Sequence, residues 1–119
     1  MWATKIWESL RDERISPHFS VRVDLQHAKR QVWIQLNGVL DNLRAERLAH
    51  RIKEYLEKDR GKLILDLENM RDSRGKALEA LANKLSAYRR RIRIRLPRNY
   101  LGHAAQFLFL AQIFKLYKG

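Results

Sequence analysis

The chain has 119 residues, a length that suits one domain with a core needing no staples, and it lacks cysteine, which excludes disulfides, thiolate metal sites and a cysteine nucleophile. It carries 25 Lys and Arg against 13 Asp and Glu, a formal net charge of +12, and the excess is uneven: residues 1–70 hold 13 basic and 11 acidic groups, residues 71–119 hold 12 and 2. Such asymmetry points to an anionic partner and is silent about fold.

"MWATKIWESLRD" sets Trp2, Ile6, Trp7 and Leu10 at near-helical spacing, which predicts a short amphipathic helix ended before Pro17. Residues 1–17 therefore read as an extension in front of a domain over 18–119. "FSVRVDLQ" alternates Val21, Val23 and Leu25 with Arg22, Asp24 and Gln26, the pattern of a half-buried strand. "HAKR" turns, and "QVWIQLNG" alternates again with Val32, Ile34 and Leu36 on one face, so the two strands form an antiparallel hairpin.

From "VLDNLRAERL" onward Ala45, Leu48, Ala49, Ile52 and Leu56 share one helical face, with Asp41 or Asn42 to cap the start and Gly61 the end. "KLILDL" is an apolar strand. A polar stretch, "RDSRG", precedes a second helix with Leu78, Leu81, Ala82, Leu85 and Tyr88 on its buried stripe. "RIRIRLP" then alternates Ile92, Ile94 and Leu96 inward with Arg91, Arg93 and Arg95 outward. A last apolar helix covers roughly 101–110, and "IFKLY" ends in a strand. Its uncharged run, "LGHAAQFLFLAQIF", has 14 residues, short of the roughly 20 that cross a bilayer. No basic start leads into a long apolar core, so no secretory signal is read, and a cytoplasmic domain is expected.

The order is β-β-α-β-α-β-α with a final strand. Strands joined through helices pair in parallel by crossovers. Two or three strands keep a polar face, whereas a sheet covered on both sides would read as continuous apolar runs. The expected fold is a single α/β domain with a mixed four- to five-stranded sheet and crossover helices mainly on one face.

This order, with three local motifs, resembles the STAS domain of sulfate transporters and anti-sigma-factor antagonists. "LNGVLD" is similar to that family's strand-end G-x-L-D, "LILDLENM" to its apolar strand ending in L-D-L, and "DSRG" to its D-S-S-G or D-S-x-G loop. The likeness covers roughly residues 18–117. Arg74 stands where the family has a small residue, Lys76 where it has an apolar one, and the stretch before Asp72 is about two residues shorter than the family's. The resemblance implies a non-catalytic regulatory module whose serine, here Ser73, is phosphorylated by a partner kinase, with the phosphate breaking partner binding. It implies a switch loop of Arg71, Asp72, Arg74 and Gly75, with Asp41 at the neighbouring strand end, and a kinase-like anti-sigma factor or a transporter subunit as partner.

Read on its own chemistry, a serine just before a helical run can cap free N–H groups of the first turn. A phosphate there would bring about −1.5 to −2 charges to the positive end of the helix, and Arg71 and Arg74 would add donors. The plainer reading of Ser73 is a cap without modification.

The stretch "YRRRIRIRLPRNY" offers a basic surface of Arg89, Arg91, Arg93 and Arg95. It reads either as a solvated sheet face or as a phosphate-tracking stripe for nucleic acid between Tyr88 and Tyr100. Trp33 and Ile64 on the same outer face would add an apolar patch. The tryptophan-bearing extension packs on its own domain, rests on a membrane surface, or joins two copies in a homodimer. His18, His27, His50 and His103 are scattered without metal-ligand spacing, and neither a G-x-S-x-G elbow nor a phosphate-cradling glycine loop occurs, so the reading is of no enzyme, no metal and no cofactor.

Overall fold

The structure is a computed structural model describing residues 19–73, 76–97 and 105–118, with the side chains of residues 71–73 and 105–106 outside that description. The predicted amphipathic helix at residues 2–10 also lies outside it. Phe19–Gln26 (β1) and Gln31–Leu40 (β2) pair antiparallel from Phe19 opposite Gly38 to Gln26 opposite Gln31, which is the expected hairpin. The turn is a short 3-10 segment, His27–Lys29, closed by Arg30 in the left-handed region at φ 49° with its N–H donating to the His27 carbonyl at 3.1 Å.

Asn42–Lys58 (α1) carries the chain to Lys62–Asp66 (β3), which pairs parallel to β2 with Gln31 opposite Lys62 and Gln35 opposite Asp66. Met70–Ser73 (β4), Ala77–Leu85 (α2) and a 3-10 segment, Ser86–Arg91, lead to Ile92–Arg95 (β5), parallel to β3. Ala105–Ile113 (α3) then returns the chain to Lys115–Leu116 (β6), parallel to β5. The strand order is β1-β2-β3-β5-β6, with β4 joined to the far end of β2.

One face of this sheet is dry. Val23, Ile34, Leu36, Leu63, Leu65 and Ile94 form a single buried cluster with Leu48 and Ile52 of α1, Leu78, Leu81 and Leu85 of α2, and Phe107 and Leu110 of α3. All three described helices therefore lie against the same side, and each large aliphatic side chain removed from water there contributes about 1.5–3 kcal/mol as an upper figure. On the other side Arg22, Asp24, Lys62, Arg95 and Lys115 are exposed. Register explains the division, because side chains alternate and direct partners share a face. No described helix is long and apolar enough to cross a membrane.

Three local expectations are corrected. Gly61 does not end α1 in a left-handed turn: the C-cap is Asp59 in extended conformation, its N–H bonded to the Tyr55 carbonyl at 2.9 Å. Gly61 is required because a Cβ there would meet the Arg30 carbonyl oxygen at 2.6 Å and press on the Tyr55 hydroxyl. α2 stops at Leu85, so Tyr88 sits in the 3-10 segment, half-buried, donating its hydroxyl to Glu57 at 3.0 Å. Arg91 does not point to solvent from the strand. It precedes β5, and its guanidinium donates to the carbonyls of Leu56 at 2.6 Å, Gly61 at 2.9 Å and Asp59, main-chain acceptors at and just beyond the C-terminal end of α1.

Candidate functional site

β2 is ten residues long, but β3 pairs only with Gln31 to Gln35. The remaining edge of β2 would leave main-chain groups unpaired, and β4 fills it. The chain leaves β3 through a turn in which the Glu68 N–H donates to Asp66 Oδ1 at 2.9 Å and the Met70 N–H to the Leu67 carbonyl at 3.1 Å. It then runs parallel to β2, with Met70 opposite Gly38, Asp72 opposite Val39 and Ser73 opposite Leu40. The register slips between Gly38 and Val39, so Arg71 is an extra residue on β4 and makes a bulge. Gly38 absorbs the irregularity at φ 94°, a conformation glycine adopts without penalty.

The consequence is a shared tip. Ser73 lies opposite Leu40, and the next residue along β2, Asp41, is the N-cap of α1. Asp41 accepts from the Arg44 N–H at 2.9 Å through Oδ1 and from the Arg44 guanidinium at 2.8 Å through Oδ2. Of the residues expected in the switch, the backbones of Arg71, Asp72 and Ser73 and the whole of Asp41 thus meet at one end of the sheet. Arg74 and Gly75 lie outside the described residues.

The expected cap geometry is not what this tip contains. α2 begins at Ala77 with Lys76 in the N-cap position and no side-chain cap, so Ser73 stands three residues before the N-cap. Its backbone belongs to the sheet instead, where the open edge of β2 supplies partners that a free loop would lack. By register Ser73 lies beside the strand end that leads into α1, whose Arg44 N–H Asp41 already satisfies.

The basic surface divides into engaged and free members. Arg91 is held by the carbonyls just described. Arg95 pairs with Glu68 at 2.6 Å and with Asp66 at 3.6 Å. Arg93 donates to the carbonyls of Arg90 at 3.0 Å and Ile92 at 3.1 Å, and Arg89 to that of Ser86 at 3.3 Å, none of which neutralises their charge. Tyr88, expected as a stacking platform, is tied to Glu57, and that hydrogen bond is the main reason its hydroxyl is held above the ordinary 10.0. Tyr100 lies outside the described residues.

Two features of the outer face escaped the sequence. Asp66 is buried, at 1 % exposure, and accepts from Trp33 Nε1 at 3.1 Å while pairing with Arg95. Trp33 in turn meets Tyr117 edge to face, with ring centroids 4.9 Å apart and planes at 82°. Alternation alone marks Asp66 and Trp33 as solvent-facing; only the register of β2 with β3, and the return of the chain end to β5, brings them together. Among the described residues no group of three or more His, Cys, Asp or Glu side chains could hold a metal ion.

No protein-family model matches the sequence, and no curated protein matches it. Solved structures do match. The anti-sigma-factor antagonist SpoIIAA in its unphosphorylated form superposes with a TM-score of 0.60 at 13 % identity, over 84 % of this chain and 89 % of its own. The Bacillus cell fate determinant SpoIIAA in its phosphorylated form gives 0.54 at 16 % identity, over 83 % and 92 %. An anti-sigma-factor antagonist STAS domain from Rhodobacter sphaeroides gives 0.50 at 16 % identity, over 68 % and 87 %. The hairpin, the parallel crossovers and the one-sided helical layer are those of these domains, and the chain has the STAS fold.

Proposed function

We propose that this protein is a non-catalytic regulatory module that binds a protein partner of the kinase-like anti-sigma type through the sheet tip around Ser73 and Asp41, and that phosphorylation of Ser73 releases the partner. The observation that supports this reading is the register of β4 on β2, which brings the Asp72-Ser73 segment beside the Leu40-Asp41 strand end although 32 residues separate Ser73 from Asp41. The fold is shared with anti-sigma-factor antagonists, one of which is known in unphosphorylated and phosphorylated forms.

The chemistry follows from the neighbours. A phosphate on Ser73 would add about −1.5 to −2 charges and three acceptor oxygens beside Asp41. The carboxylate of Asp41 would repel it, while the Arg44 guanidinium, bound to Asp41 in the resting state, would attract it. Exchange of Arg44 between carboxylate and phosphate would disturb the start of α1 and change the charge of the docking tip together.

The test is an affinity pull-down from the native host with mass spectrometry of bait and prey, using wild type, Ser73→Ala and Ser73→Asp. Wild type and Ser73→Ala should retain one common protein that Ser73→Asp loses by tenfold or more, and part of the wild-type bait should carry phosphate on Ser73. A Ser73→Asp variant that retains the same protein as well as wild type sinks the switch.

A further inference from the structure

The face of the sheet away from the helices carries two hollows parted by Trp33 and Tyr117. In the smaller, about 310 Å³, Arg22 and Arg95 are matched by Asp24 and Asp66. The larger, about 900 Å³, lies where the parallel strands begin, and Lys62, Arg93, Lys115 and Lys118 line it with Gln31, Tyr117 and apolar residues of β3, the end of α3 and β6. No carboxylate is among its described lining residues. None of the four cations lies within ion-pair distance of a described carboxylate, in contrast to Arg95. Register explains the cluster: Arg93 is directly opposite Lys115, and Lys62 precedes the Leu63 that pairs with Ile92.

Four uncompensated cations in one groove repel one another and gain from an anion. A lipid surface would need large apolar side chains projecting beside the charges. Among the described residues the exposed large hydrophobics are Leu43, Leu108 and Leu116; the first two stand on helices of the opposite layer, and of the three Leu116 lines this groove. An acidic peptide would use the cations and, through its main chain, the Gln31 amide, but its carboxylate side chains would leave the Tyr117 ring without a stacking partner. A single strand of nucleic acid uses all three, with phosphates on cations, bases against aromatic rings, and base edges on amides.

We propose that this basic groove binds single-stranded nucleic acid, its phosphates on Lys62, Arg93, Lys115 and Lys118 and its bases against Tyr117, which Trp33 meets from the smaller hollow. This goes beyond the partner-docking role. Lys62 is opposite Gln31 and Ser73 opposite Leu40, which sets the two surfaces about 30 Å apart along β2.

Fluorescence anisotropy with a labelled mixed-sequence single-stranded oligonucleotide tests the proposal without any protein partner, so its failure leaves the Ser73 reading untouched. Four phosphate contacts at about 0.7 each give a log–log salt slope near −3, or roughly a 50-fold loss of affinity between about 50 and 200 mM salt. The triple variant Lys62→Gln, Arg93→Gln, Lys115→Gln should bind at least tenfold more weakly, with a slope smaller by about 2. Tyr117→Leu should weaken binding about fivefold or more while leaving the slope unchanged, the mark of lost stacking. The proposal is overturned by absence of binding at the lowest salt, or by a triple variant or a Tyr117→Leu variant that binds like wild type. It is overturned equally if polyglutamate competes as strongly as unlabelled oligonucleotide, or if phosphatidylserine vesicles bind the protein and the oligonucleotide does not.

Discussion

Tyr55 shows how much of this protein is decided by single contacts between segments distant in sequence. It lies on the buried stripe of α1, at 3 % exposure, where its hydroxyl abuts Gly61 and leaves no room for a side chain there. Burial, and then the negative charge of Asp59, hold that hydroxyl above the ordinary tyrosine value of 10.0, with Arg91 and Arg30 pulling weakly the other way. The sign of the effect on stability is fixed by this direction. Above pH 10 the unfolded chain gives up the Tyr55 proton more readily than the folded one, so the contribution is complete below the unfolded pKa and is lost as pH rises through the folded pKa. The urea midpoint should stay level from neutral pH to about pH 9 and fall beyond pH 10. Tyr55→Phe, which has no proton to lose, should fall less over the same range. A wild-type midpoint as level as that of Tyr55→Phe would show that the hydroxyl titrates alike in both states.

At the scale of elements, the joint between α1 and β5 is the clearest case of a connection that local pattern conceals. Main-chain carbonyls at and just past the end of α1 have no helical partner, and the partial negative charge of the helix end favours a cation there. Arg91 supplies both a charge and a planar fork of donors, reaching Leu56, Asp59 and Gly61 across 30 to 35 residues of sequence. Arg91→Leu should therefore cost about 2–3 kcal/mol, since it removes charge-assisted bonds and leaves part-buried carbonyls unpaired. Arg93→Leu, two residues on, should cost under about 1 kcal/mol, because its bonds are to its own neighbourhood at the surface. Chemical denaturation of the two variants checks the contrast, and equal losses would mean that Arg91 is only one more surface cation. The same joint explains what was legible in advance. Strict alternation gave β1 to the residue and the inward side chains of β2 and β5, and the helical stripe with Asp41 at its head gave α1, because in each case burial and local geometry agree. β4 was not legible: "MRDS" has no alternation and a single apolar residue, Met70, and its backbone is a strand only because β2 outruns β3. Read locally, Ser73 is a helix cap, whereas in the structure its backbone lies along the edge of β2, since competition between a cap and a sheet edge is settled by tertiary partners.

For the whole molecule the governing quantity is charge. The sequence holds a net +12, and a pair such as Lys84 with Glu46 at 3.9 Å, joining side chains 47 % and 60 % exposed, is worth little in water. Repulsion among the remaining cations opposes the compact state, and salt weakens repulsion and exposed attraction alike. Because 25 basic residues face 13 acidic ones, added sodium chloride should raise the melting temperature as the screening length falls toward about 8 Å at physiological ionic strength. Sulfate should raise it further for two separable reasons. It strengthens apolar burial in any protein, and as a divalent anion it can occupy the groove of Lys62, Arg93, Lys115 and Lys118, stabilising the folded state by mass action. The first reason survives in the Lys62→Gln, Arg93→Gln, Lys115→Gln variant and the second does not. Differential scanning calorimetry at matched ionic strength should thus show a sulfate-over-chloride gain that is smaller in the variant, and a variant already more stable than wild type in low salt. If wild type instead melts lower as chloride is added, attractive pairs govern this surface, and the basic groove is not the strained, anion-seeking feature that its unpaired cations indicate.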